Sequence, residues 1–348
     1  MDLRIGVLTD QYPSKRKPNR GTFVRDLVEQ LRSAGVDVTV ISSERNFARM
    51  SIEYLLRSMS LDVFDAQFVA PAGVLAALTP HAAPFVVTAH RWDIMEFPHR
   101  WPMARMATVV TLNSANGIIA VSREIRSEVM KFVGAGDRVV TIPNAVNVQR
   151  FRPGVEVGSL KERLGIPENH LVILSVGHLI PRKGFQYLVR AMTSIVKECN
   201  ECSLVIAGEG PLHEELLAFG RRLGLGNRIV LAGAVEESVL PSFYSMADVF
   251  AMPSLSEGHC VSILEAMSSG KSVVASAIAG NADSVTHGKD GLLVRKGDAG
   301  ALSDAILTLV RDEALRRALG RNARETVIKQ FRWEIRLRRL ICFYQSVL

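Results

Sequence analysis

The stretch 253–276, PSLSEGHCVSILEAMSSGKSVVAS, holds the residues best placed to do chemistry. It follows a strand-like run, DVFAM, turns at Ser-Glu-Gly, and enters a helical pattern over 261–268 that stops at Gly270 before a second strand. A helix start aimed at a cleft offers backbone N–H groups and the positive end of the helix dipole, which suit an anionic phosphate. Glu257 lies in the turn before that helix and Glu265 within it, so the two can touch different parts of one extended ligand. A carboxylate is a natural acceptor for vicinal hydroxyls, which sugar rings and ribose both present. Either glutamate alone would be an ordinary surface carboxylate; the combination points to a ligand.

The elements that must position such residues repeat in two series. Over the first 145 or so residues, short β-branched runs at 3–8, 36–41, 63–68, 85–89, 117–121 and 139–142 alternate with helical patterns at 22–34, 103–113 and 122–132. That alternation predicts βαβ units and a parallel sheet. A similar series starts near 171 with LVILSVG, SLVIAG, RIVLAG, DVFAMPS, SVVAS and GLLV. The segment 144–160 holds Pro153, Gly154 and Gly158 with little periodicity and reads as a linker. The expected division is 1–150, 151–330 and a chain-end segment 331–348 with apolar residues at helical spacing and a basic face. Open parallel sheets bind ligands beyond the carboxyl ends of their strands, so the turns after strands are where chemistry is expected.

A chain of 348 residues is long enough for two full cores, and 48% apolar with 22% charged residues describes an ordinary globular protein. Apolar runs of about six residues fall far short of the ~20 needed to span a bilayer. The start, MDLRIGVLTD, lacks the pattern of a secretory signal, so a cytoplasmic protein is expected. Cys199 and Cys202 form a CxxC without a second pair to complete a zinc site, and are read as structural thiols. A net charge of +7 favours anionic partners, with basic residues gathered at Lys15, Arg16, Lys17 and Arg20 and at Arg332, Arg336, Arg338 and Arg339. No GxGxxG follows the first strand, which argues against a dinucleotide-dependent oxidoreductase.

Glu257 and Glu265, with seven residues between them in SEGHCVSILEAMSSGKSVV, resemble the signature of the family 4 (group 1) retaining glycosyltransferases. Further matches span almost the whole chain: IAVSREIRSEV with TIPNAVNVQRFRP, VGHLIPRKGF, and VIAGEGPLHEEL. The resemblance implies the α/β GT-B fold, two Rossmann-like parallel-sheet domains facing a cleft, with the chain-end helix crossing back to the first. It implies sugar transfer from a nucleoside-diphosphate donor to a glycan or lipid-linked acceptor in cell-surface polysaccharide or glycolipid biosynthesis. The transfer would retain anomeric configuration and need neither metal nor cofactor.

Carried over residue by residue, the resemblance implies that Glu265 binds the ribose hydroxyls and Glu257 the transferred sugar. Backbone groups from Gly258 through His259, Cys260, Val261, Ser262 and Ile263 would hold the diphosphate. Lys183 matches the lysine that neutralises the departing diphosphate, where negative charge grows. Position 178 carries His178 where the family has arginine; with an ordinary pKa of ~6.5 it is only partly charged at neutral pH, so Arg182 is the substitute clamp. In FVVTAHRWDI, His90 matches a histidine facing the donor sugar; Asp93 would orient it or, with Arg91, bind acceptor. Gly21 matches a turn glycine where backbone approaches the diphosphate, and Asn144 reads as a hinge cap.

The acceptor is expected to meet 15–20 and 92–101, whose basic and aromatic content suits a phosphorylated or lipid-linked glycan. An anionic membrane surface is a further expected partner, and nucleic acid is not. The alternative is a non-catalytic nucleotide-sugar-binding subunit, because His178, Arg91 and Ala145 depart from the family pattern.

Overall fold

The computed structural model describes all residues except 1–2, 15–20, 43–45, 58, 81–82 and 135, and the side chain of Phe47. Two compact units divide the chain, Met1–Pro143 with Trp333–Leu348, and Asn144–Arg332.

The first unit carries β1 (Arg4–Thr9), β2 (Asp37–Ser42), β3 (Val63–Gln67), β4 (Phe85–Ala89), β5 (Gly117–Ala120) and β6 (Val139–Thr141). They form one parallel sheet in the order β2-β1-β3-β4-β5-β6. Its helices are α1 (Thr22–Ser33), α2 (Phe47–Arg57), α3 (Val74–Leu78), α4 (Pro102–Ser114) and α5 (Arg123–Val129). Ser122 caps α5, accepting from the Ile125 amide at 3.2 Å.

The second unit carries β7 (Leu171–Val176), β8 (Cys202–Ala207), β9 (Ile229–Gly233), β10 (Val249–Met252), β11 (Ser272–Ser276) and β12 (Leu292–Val294). These pair in parallel in the order β12-β11-β10-β7-β8-β9. Helices α6 (Leu160–Arg163), α7 (Phe185–Glu198), α8 (His213–Arg222), α9 (Leu240–Met246), α10 (Val261–Ser268), α11 (Ala279–Ala282), α12 (Ala299–Arg311) and α13 (Glu313–Gln330) belong to it. The chain ends in α14 (Trp333–Ser346), part of the first unit.

Every residue of β4, β8 and β11 is buried, as parallel strands covered on both faces require. Each sheet has one point where its strand order reverses, between β1 and β3 in the first and between β7 and β10 in the second. Loops part to opposite faces there, which opens a crevice at the carboxyl ends.

The division falls at Pro143/Asn144 and not at 150, and 144–160 is no free linker. Val146 donates its amide to the Phe331 carbonyl at 2.9 Å, and Val146, Phe151 and Leu160 are buried in the second unit's core. The Pro and Gly residues there make turns while these apolar residues anchor the path. The basic reading of Arg336 also changes. Its side chain is buried, stacked 5.3 Å over the Trp333 ring, while Trp333, Leu337, Leu340 and Tyr344 of α14 are buried beside it. Cys199 ends α7 and Cys202 opens β8, with their sulfurs 2.7 Å apart as free thiols. Among the described residues no helix is long and apolar enough to cross a membrane.

Candidate functional site

In the second unit, the two loops at the strand-order reversal are locked together. Gly184, at φ 69°, opens α7 in a left-handed conformation, and a Cβ there would stand 2.2 Å from the Pro253 carbonyl oxygen. Only glycine fits that contact and that dihedral. The Leu255 amide also donates to the Arg182 carbonyl at 2.7 Å. The loop after β7 thereby lies against the loop after β10.

That contact brings Lys183, Arg182 and Glu257 together. Lys183 Nζ donates to Glu257 Oε1 at 2.7 Å, with the two side chains 11% and 7% exposed. Ser254 Oγ donates to the same oxygen at 2.7 Å, and an Arg182 guanidinium nitrogen to Oε2 at 3.1 Å. Burial pushes Glu257 up, but Lys183 and Arg182 outweigh it and hold the carboxyl below its ordinary value. Burial pushes Lys183 down, and the facing Glu257 outweighs it and leaves the ammonium above its ordinary value. The pair is therefore charged, with two cations and one anion at the carboxyl edge of the sheet. Gly280 packs behind it: a Cβ there would meet the Glu257 carbonyl oxygen at 2.3 Å.

Helix α10 starts at Val261 with Cys260 at its N-cap and no side chain bonded to its first amides. Gly258, His259 and Cys260 are buried, while Val261 and Ser262 are partly exposed and Ile263 is buried. The His259 ring faces inward, its Nε2 3.2 Å from Ser284 Oγ, and its carbonyl accepts from the Asn144 side chain at 3.1 Å. Its expected contribution can only be its backbone. Asn144 thus braces the approach to α10 from within the same unit. Glu265 lies one turn into the helix, where the buried Tyr244 hydroxyl donates to its Oε2 at 2.6 Å. Burial, with Glu265 beside it, pushes the Tyr244 phenol well above its ordinary value, so the phenol remains a donor. His178 is exposed at the surface of the loop after β7. Arg182, not His178, is the second cation at Glu257.

In the first unit, His90 follows β4 directly. Its Nε2 lies 3.1 Å from Gln67 Oε1, and its ring packs edge-on to Phe23 and against Phe68 at centroid distances of 5.0 and 4.6 Å. Phe68 reaches this place with φ 84°, a dihedral that non-glycine residues rarely adopt. Burial, with the Arg336 charge behind it, pushes the imidazole from 6.5 down to about 3, so His90 is neutral. Gln67 Nε2 donates to Asp65 Oδ2 at 2.7 Å, and Asp65 also accepts from Thr88 at 2.8 Å and from Tyr344 of α14 at 2.6 Å. With its amide nitrogen turned to Asp65, Gln67 offers His90 only an oxygen. The imidazole must then donate through Nε2–H and keep Nδ1 as its acceptor.

Asp93 is fully buried and accepts from the backbone amides of Val69 at 2.8 Å and His90 at 3.1 Å. Burial raises its carboxyl from 3.8 to about 6. Acceptor binding by Asp93 is corrected accordingly: a carboxylate with no exposed surface cannot meet an acceptor, and its work is to hold the turn that presents His90. Arg91 is half-buried and paired with Glu96. Gly21 opens α1 at φ 66°, and a Cβ there would stand 2.2 Å from the Gln11 carbonyl oxygen, so the position admits only glycine. The expected acceptor loop 15–20 lies outside the described residues.

The expected residues thus form two groups, Lys183, Arg182, Glu257, Glu265 and the start of α10 in one unit, and Gly21, His90, Arg91 and Asp93 in the other. Sequence reasoning missed Tyr244, Ser254, Asp65, Gln67 and Tyr344. A signal existed for Ser254, three residues before Glu257, and for Asp65 and Gln67, two polar residues on one face of an otherwise apolar strand. None existed for Tyr244 or Tyr344, which reach their partners across the fold.

Known proteins match along both units. The family model described as Glycosyltransferase Family 4 matches residues 46–150, and that described as Glycosyl transferases group 1 matches 157–326. The GDP-mannose-dependent alpha-(1-6)-phosphatidylinositol monomannoside mannosyltransferase of Mycobacterium tuberculosis is 31% identical over 71% of this chain. The chain spans 66% of that relative's length, just under two thirds. The N-acetyl-alpha-D-glucosaminyl L-malate synthase of Bacillus anthracis is 25% identical over 83% of this chain and 74% of its own. The Anabaena HepE protein, solved with UDP and glucose, superposes with a TM-score of 0.84 at 22% identity, covering 99% of this chain and all of that one. With two family models matched in succession and two parallel six-stranded sheets of this order, the chain belongs to the family 4 (group 1) glycosyltransferases of the GT-B fold.

Proposed function

We propose that the chain is a retaining, metal-independent glycosyltransferase that takes a sugar from a nucleoside-diphosphate donor to a glycan or lipid-linked acceptor. The observation that carries this reading is the buried cluster of Lys183, Arg182 and Glu257 beside the uncapped start of α10. In the reaction, the bond from the anomeric carbon to the diphosphate oxygen breaks and its electrons leave with the diphosphate. The acceptor hydroxyl oxygen forms the new bond on the same face, and its proton passes to the departing phosphate oxygen. Positive charge grows on the sugar ring and negative charge on the leaving group, so an enzyme gains by binding that separation better than the ground state. Lys183, Arg182 and the first amides of α10 supply the positive side at fixed positions, which costs no reorganisation when the charge develops. Glu257 contacts the sugar hydroxyls, and Glu265, steadied by Tyr244, receives the ribose hydroxyls. In the first unit, His90 is neutral and keeps Nδ1 as an acceptor for a hydroxyl. No cofactor is required, because the nucleotide sugar is itself a substrate.

One relative supports the donor class by name, being GDP-mannose-dependent, and another is named for making a glucosaminyl malate. Their acceptors differ in kind, one a phosphatidylinositol glycolipid and one malate. Calorimetry on the purified chain in EDTA, with UDP, GDP and ADP in turn, tests the reading. Binding of one of them without metal is expected; failure of all three with and without added Mg²⁺ would overturn it.

A further inference from the structure

The passage from α7 to β8 brings together two thiols that the candidate site does not use. Cys199 closes α7 and is partly exposed, while Cys202 opens β8 and is fully buried. The Cys202 thiol donates to Cys199 Sγ at 2.7 Å. The pair lies at the amino end of β8, whereas Lys183 and Glu257 stand at the carboxyl edge of the sheet. It is a separate feature of the second unit, and nothing about it depends on the transferase reading.

The turn between the two thiols is held from both sides. The Cys199 amide donates to the Ile195 carbonyl at 2.8 Å, which keeps Cys199 on the last turn of α7. Cys202 is registered against Leu171 of β7, and the Leu171 amide donates to the Glu201 carbonyl at 2.8 Å. The two residues between the cysteines are tied through their side chains as well. Arg228 donates to Asn200 Oδ1 and Asn169 to Glu201 Oε1, each at 2.7 Å. Thiols carried on so fixed a turn meet at the high effective concentration of an intramolecular reaction. Burial, with the Cys199 thiol beside it, pushes the Cys202 thiol above its ordinary value, so Cys202 remains the protonated partner. Cys199, the partly exposed residue of the two, is the one an outside reagent meets first.

We propose that Cys199 and Cys202 form a reversible oxidation site, closed to an intramolecular disulfide by exchange with a small-molecule disulfide. The Cys199 thiolate attacks one sulfur of the small disulfide, whose S–S bond breaks and whose other half leaves as a thiolate. Cys202 then gives up its proton to solvent and attacks Cys199 Sγ, and the second half leaves with the bonding electron pair. The two cysteines lose two electrons and two protons, and the small disulfide becomes two thiols. Mass spectrometry of the full chain tests this with oxidised glutathione as the probe. The exposed Cys342 is first replaced, as Cys342→Ser, to remove its own reaction. The folded chain is incubated with the probe, its remaining thiols are alkylated in denaturant, and it is digested with trypsin. One peptide, 198–221, then carries both cysteines and no other. That peptide is expected to lose two hydrogens and take up no alkyl group, and dithiothreitol treatment before alkylation should restore both alkylation sites. Cys202→Ser should instead hold one glutathione on Cys199, and Cys199→Ser should stay unmodified at Cys202. The Cys342→Ser chain decides the matter even where one of these variants fails to fold. A peptide that stays reduced would overturn the proposal, as would one that keeps glutathione on Cys199 with Cys202 intact. Closure only when urea is present during the incubation would overturn it too, because the folded turn would then not be what joins the thiols.

Discussion

Burial alone would push Lys183 below its ordinary value; Glu257 at 2.7 Å outweighs it and keeps the ammonium charged, and Lys183 in turn holds the carboxyl below its ordinary value. Under the proposed function the two serve catalysis and stability together, and substitution separates the roles. Lys183→Ala is expected to lower kcat by about 10²–10³, the usual loss of one stabilising donor at a developing charge. It also leaves Glu257 to Arg182 and Ser254 alone, so the loss of folding stability should stay below the about 3–5 kcal/mol of a fully unpaired buried charge. Adding Glu257→Gln should restore most of the stability and none of the rate, read by urea unfolding and steady-state turnover. Recovery of rate in the double variant would refute the assignment of Lys183 to the leaving group. Glu265 calls for a different measurement. If its carboxylate binds ribose, Glu265→Gln should weaken nucleotide binding by roughly tenfold, and a 2′-deoxynucleotide should lose as much on the wild type while losing little more on the variant. Independent losses that add would place Glu265 elsewhere.

At the scale of elements, the setting of His90 depends on β3 and α14 acting on one strand face. Asp65 and Gln67 are two residues apart on β3, so both side chains point the same way, and Tyr344 from the chain-end helix closes on Asp65. The order Tyr344, Asp65, Gln67, His90 leaves the imidazole one tautomer. Nitrogen-15 NMR of His90 at neutral pH should show a protonated Nε2 and a bare Nδ1. Gln67→Leu removes the acceptor of Nε2–H and should mix the tautomers, lowering turnover while nucleotide affinity stays constant. A His90 that shows both tautomers equally in the wild type would refute this arrangement. Helix α10 illustrates the opposite economy: it is left uncapped at its start and is anchored at Glu265 by Tyr244 from α9.

Across the whole molecule, the buried groups set a pH profile of stability whose signs can be worked out. His90 falls from 6.5 unfolded to about 3 folded, so the unfolded chain binds the extra proton and stability drops as pH falls from 6.5 towards 3. Glu257, held below 4.5, contributes stability that is present above that value and is lost as pH falls through its folded pKa. Asp93 opposes both: raised from 3.8 to about 6, it favours the folded state progressively as pH falls from 6 to 3.8. On the alkaline side Lys183, raised above 10.5, contributes stability that is lost as pH climbs through its folded value. Thermal unfolding should therefore show a decline below pH 6.5 that flattens in His90→Gln and steepens in Asp93→Asn. An acid limb unchanged in both variants would show that other groups control it.

The run of β-branched segments, the helix stops at glycine and the spacing of Glu257 and Glu265 were written in the sequence, because strand and helix periodicity and turn chemistry are local. Period alone carried the two parallel sheets and the functional weight of the turns after their strands. Chain order could not show that β7 lies beside β10, although that adjacency brings Lys183 to Glu257 across some seventy residues of sequence. Nor could it show that Asp93 is sealed from any acceptor, that Arg336 is buried, or that Tyr344 meets Asp65 from the far end of the chain. Those facts depend on which faces pack together, and packing is decided by the summed shape of many side chains. The candidate site residues were legible because their types are rare in apolar surroundings; the residues that hold them were not, because a tyrosine or glutamine looks ordinary until its partner is in place.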